Sequence, residues 1–325
     1  MVCVYIVYSE YISETFIFYA IILGSMRRKL IQHGLSSLTV SLPRKWVQSN
    51  NLRKGNEIEL EEHHGRLIIS TQKHREHKKI DIDITGAHPM IRKIIGATFK
   101  AGYDEVAITF GSYDELKAVQ ELMREQFTGF GITHQGKKSI VILNLSQMNF
   151  EEFDSALKRF FFVLNHMASE VYSALEKNDF NWLKNTTLMK IESDKLADYC
   201  RRAINMGYSV TKPAPLYTIV EQLEKTVDRY RDLCEYVAGN KTIVRNDIKS
   251  FLKELVEFQH QFYQLFYKFE LKEIVRFGKK KEELQKKLDR MATGGQKKEM
   301  KIITLLDRIL NLVFDLNGPL MTTRI

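Results

Sequence analysis

The chain has 325 residues, enough for two or three domains, and carries 49 Lys and Arg against 40 Asp and Glu, a net charge of +9. Its three cysteines, Cys3, Cys200 and Cys234, lack metal-ligand spacing. That argues against a cysteine-held metal site and fits core thiols in a reducing, cytoplasmic setting. The positive excess is uneven: residues 26–75 hold 10 basic and 4 acidic residues, 76–150 hold 9 of each, and 151–325 hold 30 and 25. Charge concentrated in this way suits an anionic partner, nucleic acid or a membrane surface, although a solvated basic surface also explains the charge alone.

Residues 1–25 are apolar and aromatic but have neither a basic start nor a small-residue cleavage site. Glu10 and Glu14 interrupt the run near its middle, where a membrane span tolerates ionised carboxylates poorly. Met26 follows directly. The expectation is an over-extended gene start or a disordered lead. The other reading is a membrane anchor with Arg27, Arg28 and Lys29 facing the cytoplasm.

A small β unit is expected over 26–75. "KLIQHG" and "SLTVSL" alternate apolar and polar residues, with a turn at Gly34 and the serines. Pro43 suits the first turn of a helix, and "RKWVQSNNL" supplies about two turns with Trp46, Val47 and Leu52 as its apolar face. "RKGNEIEL" and "GRLIIST" form a further hairpin with turns at Gly55 and Gly65. Such a unit buries too little apolar surface to stand alone, and dimerisation would supply the missing core.

The run Gly34, Ser36, Thr39/Val40, Leu42, Pro43 and Trp46, followed by Leu52, Gly55 and Ile58, resembles an AbrB/SpoVT/MazE-type DNA-binding domain over residues 29–71. The resemblance implies an interlocked swapped-hairpin β-barrel homodimer that contacts DNA. Candidate contacts, chosen by charge, are Arg27, Arg28, Lys29, Arg44, Lys45, Arg53 and Lys54. Phosphate contacts of this kind give affinity rather than sequence choice. His63, His64, His74 and His77 fall in a polar linker without a convergent third ligand, and a solvated linker is the better reading.

Residues 78–147 read as β-α-β-α-β-β, a small open sheet with helices on one face. The first helix starts at Pro89 and stops at Gly102, with His88 in a capping rather than a catalytic role. Ser112 or Asp114 caps the second. Neither GxGxxG nor GxxxxGK[ST] occurs.

From Phe150 onward, apolar residues recur at three- and four-residue spacing. The breaks give helices near 150–177, 181–206, 214–238, 242–270, 271–291 and 296–317, packed as a bundle. On two of them, Asp194 and Asp198, and Glu224 and Asp228, stand at i, i+4, so each pair projects from one face. Facing pairs would offer four carboxylates to a hard divalent or ferric ion. The competing reading is two solvated acidic faces paired with Lys195, Lys225 and Arg229. His166 and Glu170 read as a helix-surface pair.

The motif Leu223-Glu224-Lys225-Thr226-Val227-Asp228, with Tyr230 and Cys234 after it and Glu192, Asp194 and Leu196 before it, looks like that of PhoU-type phosphate regulators. The likeness implies two three-helix repeats over about 150–320, with metal held by acidic motifs in some members. It is weak in the second repeat, where Asp307 and Asn311 replace the Glu/Asp pair.

The fold class is therefore multidomain α+β: a swapped-hairpin β-barrel (26–75), a βαβαβ domain (78–147) and an all-α PhoU-like helical bundle (150–325). Two functions fit. One is a cytoplasmic regulator that binds DNA as a homodimer and couples phosphate or transporter status to transcription. The other is a dimer that does not bind DNA and docks through its bundle on a phosphate transporter or signalling protein at the membrane. With no nucleophile–base pair and no phosphate loop, the residues do not point to an enzyme.

Overall fold

The computed structural model describes residues 28–33, 37–63, 66–70, 77–146, 150–208, 212–293 and 297–325. The expected lead or anchor at 1–25 lies outside the described residues, as do Arg27 and the histidines at 64 and 74. The chain divides into two compact units, Met1–Lys73 and His74–Ile325.

In the N-terminal unit, β1 (Ile31–His33) pairs antiparallel with β2 (Ser37–Thr39), α1 spans Arg44–Ser49, and β3 (Glu59–His63) pairs antiparallel with β4 (Arg66–Ser70). Pro43 sets the entry to α1 as its N-cap residue, with extended backbone. Trp46, Val47 and Leu52, the expected apolar face, are half-buried. Gly55 takes φ +91° at the turn before β3, a conformation L side chains rarely adopt. A barrel is expected here, but the described strands form two separate two-stranded sheets and no closed barrel. The physical reason is size, since four strands of three to five residues cannot wrap around a core of their own.

The second unit opens with β5 (Lys79–Asp83), α2 (Ile91–Lys100), β6 (Glu105–Thr109), α3 (Tyr113–Glu125), β7 (Phe130–Gln135) and β8 (Ser139–Asn144). The sheet order is β5-β6-β8-β7, with β5 parallel to β6 and the other pairs antiparallel. Val106, Ile108, Ile140 and Ile142 fill one face and pack with residues of α2 and α3 in a buried cluster. The expected element order holds, with two refinements at helix starts. Ser112 caps α3 in a full capping box with Glu115. The N-cap of α2 is Met90, whose side chain makes no capping bond, so the capping role read for His88 is not what the structure shows. Glu115 is buried and accepts from the backbone N–H groups of Gly111, Gly86 and Ser112. Those donors, Gly111 foremost, hold its carboxyl below the ordinary glutamate range.

The remainder is helical: α4 (Phe150–Glu176), α5 (Phe180–Thr186), α6 (Met189–Asn205), α7 (Pro213–Asn240), α8 (Asn246–Tyr267), α9 (Leu271–Ala292), α10 (Lys297–Asp315) and α11 (Asn317–Arg324). The single helix read over 181–206 is two. Thr186 and Thr187 turn their hydroxyls back onto the carbonyls of Trp182 and Lys184, which competes with a continuous helix. A further helix, α11, follows the periodic region. Its Pro319 falls in the first turn, where no backbone N–H is needed. Cys200 and Cys234 are buried in the bundle core, as their apolar stripes imply, and burial pushes both thiols up. No described helix is long and apolar enough to cross a membrane.

The sheet and the bundle are joined through α6. Helix α2 ends in a Schellman turn: Gly102 takes φ +86°, its N–H donates to Phe99, and Tyr103 N–H donates to Thr98. Arg202, 1% exposed, donates to the carbonyls of Phe99 (2.8 Å) and Tyr103 (2.7 Å) and to Asp104 (2.8 Å). Its guanidinium lies 5.2 Å from the Phe99 ring centroid and 5.0 Å from that of Phe130. Asp104 also accepts from the Lys78 N–H at the start of β5 and from Asn144 at the end of β8. Removing the arginine takes a charge-assisted bond away from a buried carboxylate. Arg202→Met should therefore lower stability by about 3–5 kcal/mol in urea unfolding, with fast amide exchange appearing at the C-terminal end of α2. Wild-type stability would contradict this.

Candidate nucleic-acid interface

Of the seven basic residues expected to meet phosphate, Arg28, Lys29, Arg44, Lys45, Arg53 and Lys54 are described, and all six are exposed. They sit on three short features: the approach to β1, the first turn of α1, and the turn that contains Gly55. Among the described residues none of their side chains joins an ion pair. Helix stability alone would favour acids in the first turn of α1, because its free N–H groups carry partial positive charge. The sequence places Arg44 and Lys45 there instead, with no acid in that turn. Arg44 and Lys45 therefore put cationic side chains at a helix end that already carries partial positive charge, an arrangement that an external anion would relieve.

Several apolar residues in and beside the strands of the same unit are exposed as well. No described side chain in it is buried. Leu38 is 65% exposed and Leu67 59%, and Leu30, Ile31 and Leu60 are similarly open. Several large apolar groups in water on so small a unit mark an unfinished core.

The acidic residues on α6 and α7 do meet, but not as a cation cage. Lys190 Nζ lies 2.7 Å from both Asp194 and Asp228. Arg201, whose side chain is 3% exposed, reaches Asp198 at 2.8 Å, Glu221 at 3.1 Å and Glu224 in direct contact. Lys100 of α2 approaches Asp198 at 3.7 Å. All four carboxylates proposed as ligands are therefore neutralised by protein cations. Among the described residues, no group of three or more His, Cys, Asp or Glu side chains is placed to hold a metal. An incoming divalent or ferric ion would have to expel both Lys190 and Arg201, so Asp194, Asp198, Glu224 and Asp228 do not fit such an ion in this arrangement.

The cations differ from those expected. Lys225 pairs with Glu221 at the edge of the cluster, and Arg229 pairs with Asp232 instead of the four carboxylates. The residues that sequence reasoning missed are Lys190 and Arg201, and the signal was present, since Lys190 stands four residues before Asp194 and Arg201 three after Asp198. His166 stacks on Phe162, while Glu170 accepts from the Trp182 indole at 2.7 Å, so they do not form the surface pair read from spacing.

Burial works against charge on Lys190, but its bonds to Asp194 and Asp228 prevail and hold its pKa above the ordinary lysine value. Burial raises Asp194 above the ordinary aspartate value despite Lys190. Burial also opposes the charge of Arg201, and Glu224 more than offsets it.

Residues 35–77 match the protein family described as antidote-toxin recognition MazE, bacterial antitoxin. The matched stretch takes in β2, α1 and the second hairpin. No curated protein and no solved structure matches the chain. The comparisons give no support to the likeness between the helical half and PhoU-type regulators.

The network carries a pH signature. A lysine whose pKa is raised by folding contributes stability that is complete below its unfolded value, about 10.4, and is lost as pH rises through the folded value. Lys190→Met should lower stability near neutral pH by about 1–3 kcal/mol, given partial exposure. Its alkaline limb should also be flatter than that of the wild type. Parallel alkaline limbs in urea unfolding would contradict the assignment.

Proposed function

We propose that this protein is a DNA-binding regulator that works as a homodimer through its N-terminal unit. The observation that carries the reading is that this unit exposes its apolar strand residues and its basic side chains together. The apolar set needs a second copy to leave water, and the basic set then stands doubled by symmetry on one molecule. The match of residues 35–77 to an antitoxin family supports the same reading. Arg28, Lys29, Arg44, Lys45, Arg53 and Lys54, with Arg27 before them, serve as phosphate contacts. They set affinity and register, and sequence choice comes from other contacts.

The second unit is then the sensing or partner-binding part. Its motif likeness suggests phosphate or transporter status as the signal, received from a transporter or signalling protein at the membrane. Its charged α6–α7 network serves as an internal brace in this reading and not as a metal centre.

Two measurements test the proposal. Leu38→Glu with Leu67→Glu should halve the mass seen in light scattering while the helical signal persists, and a dimer that survives both changes would remove the basis for dimerisation through this unit. Arg44→Ala with Lys45→Ala should weaken binding on all duplexes alike. It should also flatten the dependence of log affinity on log salt by about two units or more per dimer, since each neutralised phosphate contributes about 0.9. Failure of the folded wild-type dimer to bind duplex DNA at low salt would leave the N-terminal unit a dimerisation module only.

A further inference from the structure

The basic excess of the helical half is confined to one place. Residues 268–301 carry 12 basic and 6 acidic residues, whereas the rest of 151–325 carries 18 and 19. Most of that segment is α9, an outer helix of 22 residues, roughly 33 Å long. It buries only Phe277, Leu284 and Leu288.

The remaining faces of α9 are not alike. Lys272, Lys279 and Lys286 are seven residues apart, so they stack on one face two turns at a time, and Arg290 extends the row by one turn. Lys286 is two residues from Leu284, about 200° round the helix, so this row lies opposite the buried stripe. All four are exposed, and among the described residues none of them has an ion-pair partner. Their neighbours differ: Lys280 and Lys287 both bind Glu254, Lys280 also approaches Glu283, and Arg276 pairs with Glu273. Glu283 is the one acid in the row. The structure thus uses its flanking cations internally and leaves a basic row, broken by Glu283, facing out.

We propose that the outer face of α9, through Lys272, Lys279, Lys286 and Arg290, holds the phosphate backbone of double-stranded DNA. This rests on the DNA-binding reading of the N-terminal unit for its choice of anion. The chemistry favours DNA over a lipid surface. A helix that lies in a membrane interface offers an apolar face beside its basic one. Here the apolar stripe is consumed by the bundle core, and the large apolar side chains left exposed on α9 are Leu271 and Val275 in its first turns. A duplex offers about one negative charge per 1.7 Å, so a straight basic row finds phosphates along its whole length. The contact is independent of base sequence because lysines on a convex helix face meet phosphate oxygens rather than base edges.

The test compares four full-length proteins: wild type, Lys279→Gln/Lys286→Gln/Arg290→Gln, Arg44→Ala/Lys45→Ala, and the combination. Each is titrated onto random-sequence duplexes at several salt concentrations, with thermal unfolding as the fold control. The α9 triple variant removes exposed side chains without ion-pair partners, so it should unfold with the wild type. It should also bind every duplex more weakly, with a log–log salt slope flatter by about two units or more. The combined variant should be flatter than either parent. A triple variant that binds like the wild type while the N-terminal variant is impaired overturns this inference and leaves the DNA-binding reading standing. An impaired triple variant beside an unimpaired N-terminal variant supports it and removes Arg44 and Lys45 from the interface. Absence of wild-type binding overturns both. Wild-type binding to vesicles of phosphatidylserine and phosphatidylcholine that the triple change abolishes, with the DNA slope unmoved, overturns it in favour of a lipid surface.

Discussion

Arg202 is the contact on which the larger unit depends. A guanidinium buried to 1% exposure is tolerated only where its donors are answered, and here two carbonyls and a carboxylate answer them. The Phe99 carbonyl belongs to the last turn of α2, the helix end that carries partial negative charge, and the Tyr103 carbonyl to the turn that follows it. Gly102 makes the arrangement possible: its positive φ turns the chain so that the Phe99 and Tyr103 carbonyls both face the arginine. Asp104, one residue further on, ties the same point to the ends of β5 and β8. One side chain of the bundle therefore fixes a helix and two strands of the sheet.

The neighbouring residue does the complementary task. Arg201 and Arg202 are about 100° apart on α6, so one faces α7 and the other faces the sheet. Arg201 gathers Asp198, Glu221 and Glu224, and Asp198 also draws in Lys100 of α2. Helix α6 is thus held on both sides by charge-assisted bonds, and a rotation about its axis would disturb both at once. A carboxylate cluster built this way positions helices and is poorly suited to exchange its cations for a metal. Buried pairs of this type contribute geometry more than net stability.

Much of the architecture is legible in the sequence, because apolar periodicity reports burial directly. The β-α-β-α-β-β order and the long helices follow from it, and Ser112 announces its own cap. The misses have physical causes. The break between α5 and α6 depends on threonine hydroxyls bonding backwards, which periodicity does not register. The acidic pairs on α6 and α7 were visible as i, i+4 spacings, yet their partners were not. Arg201 reaches across to Glu224 on another helix, and only packing decides which cation fills the gap. The expected barrel needs strands that a single N-terminal unit does not supply. The basic row on α9 was diluted in the charge tally of the whole helical half, which is nearly neutral elsewhere.

The two ends of the chain solve different problems. The second unit completes its core internally, with two buried apolar clusters bridged by Arg202. Among the described residues, the N-terminal unit leaves Leu30, Leu38, Leu60 and Leu67 in water and its exposed basic side chains without ion pairs, a state that the proposed dimer on DNA would correct. The central claim is that this small unit becomes whole in a two-chain assembly that grips DNA. Native mass spectrometry of the full chain, free and mixed with a short duplex, tests it most directly. Two chains in the free protein and two chains per bound duplex are predicted. A single chain, free or on the duplex, would contradict the account.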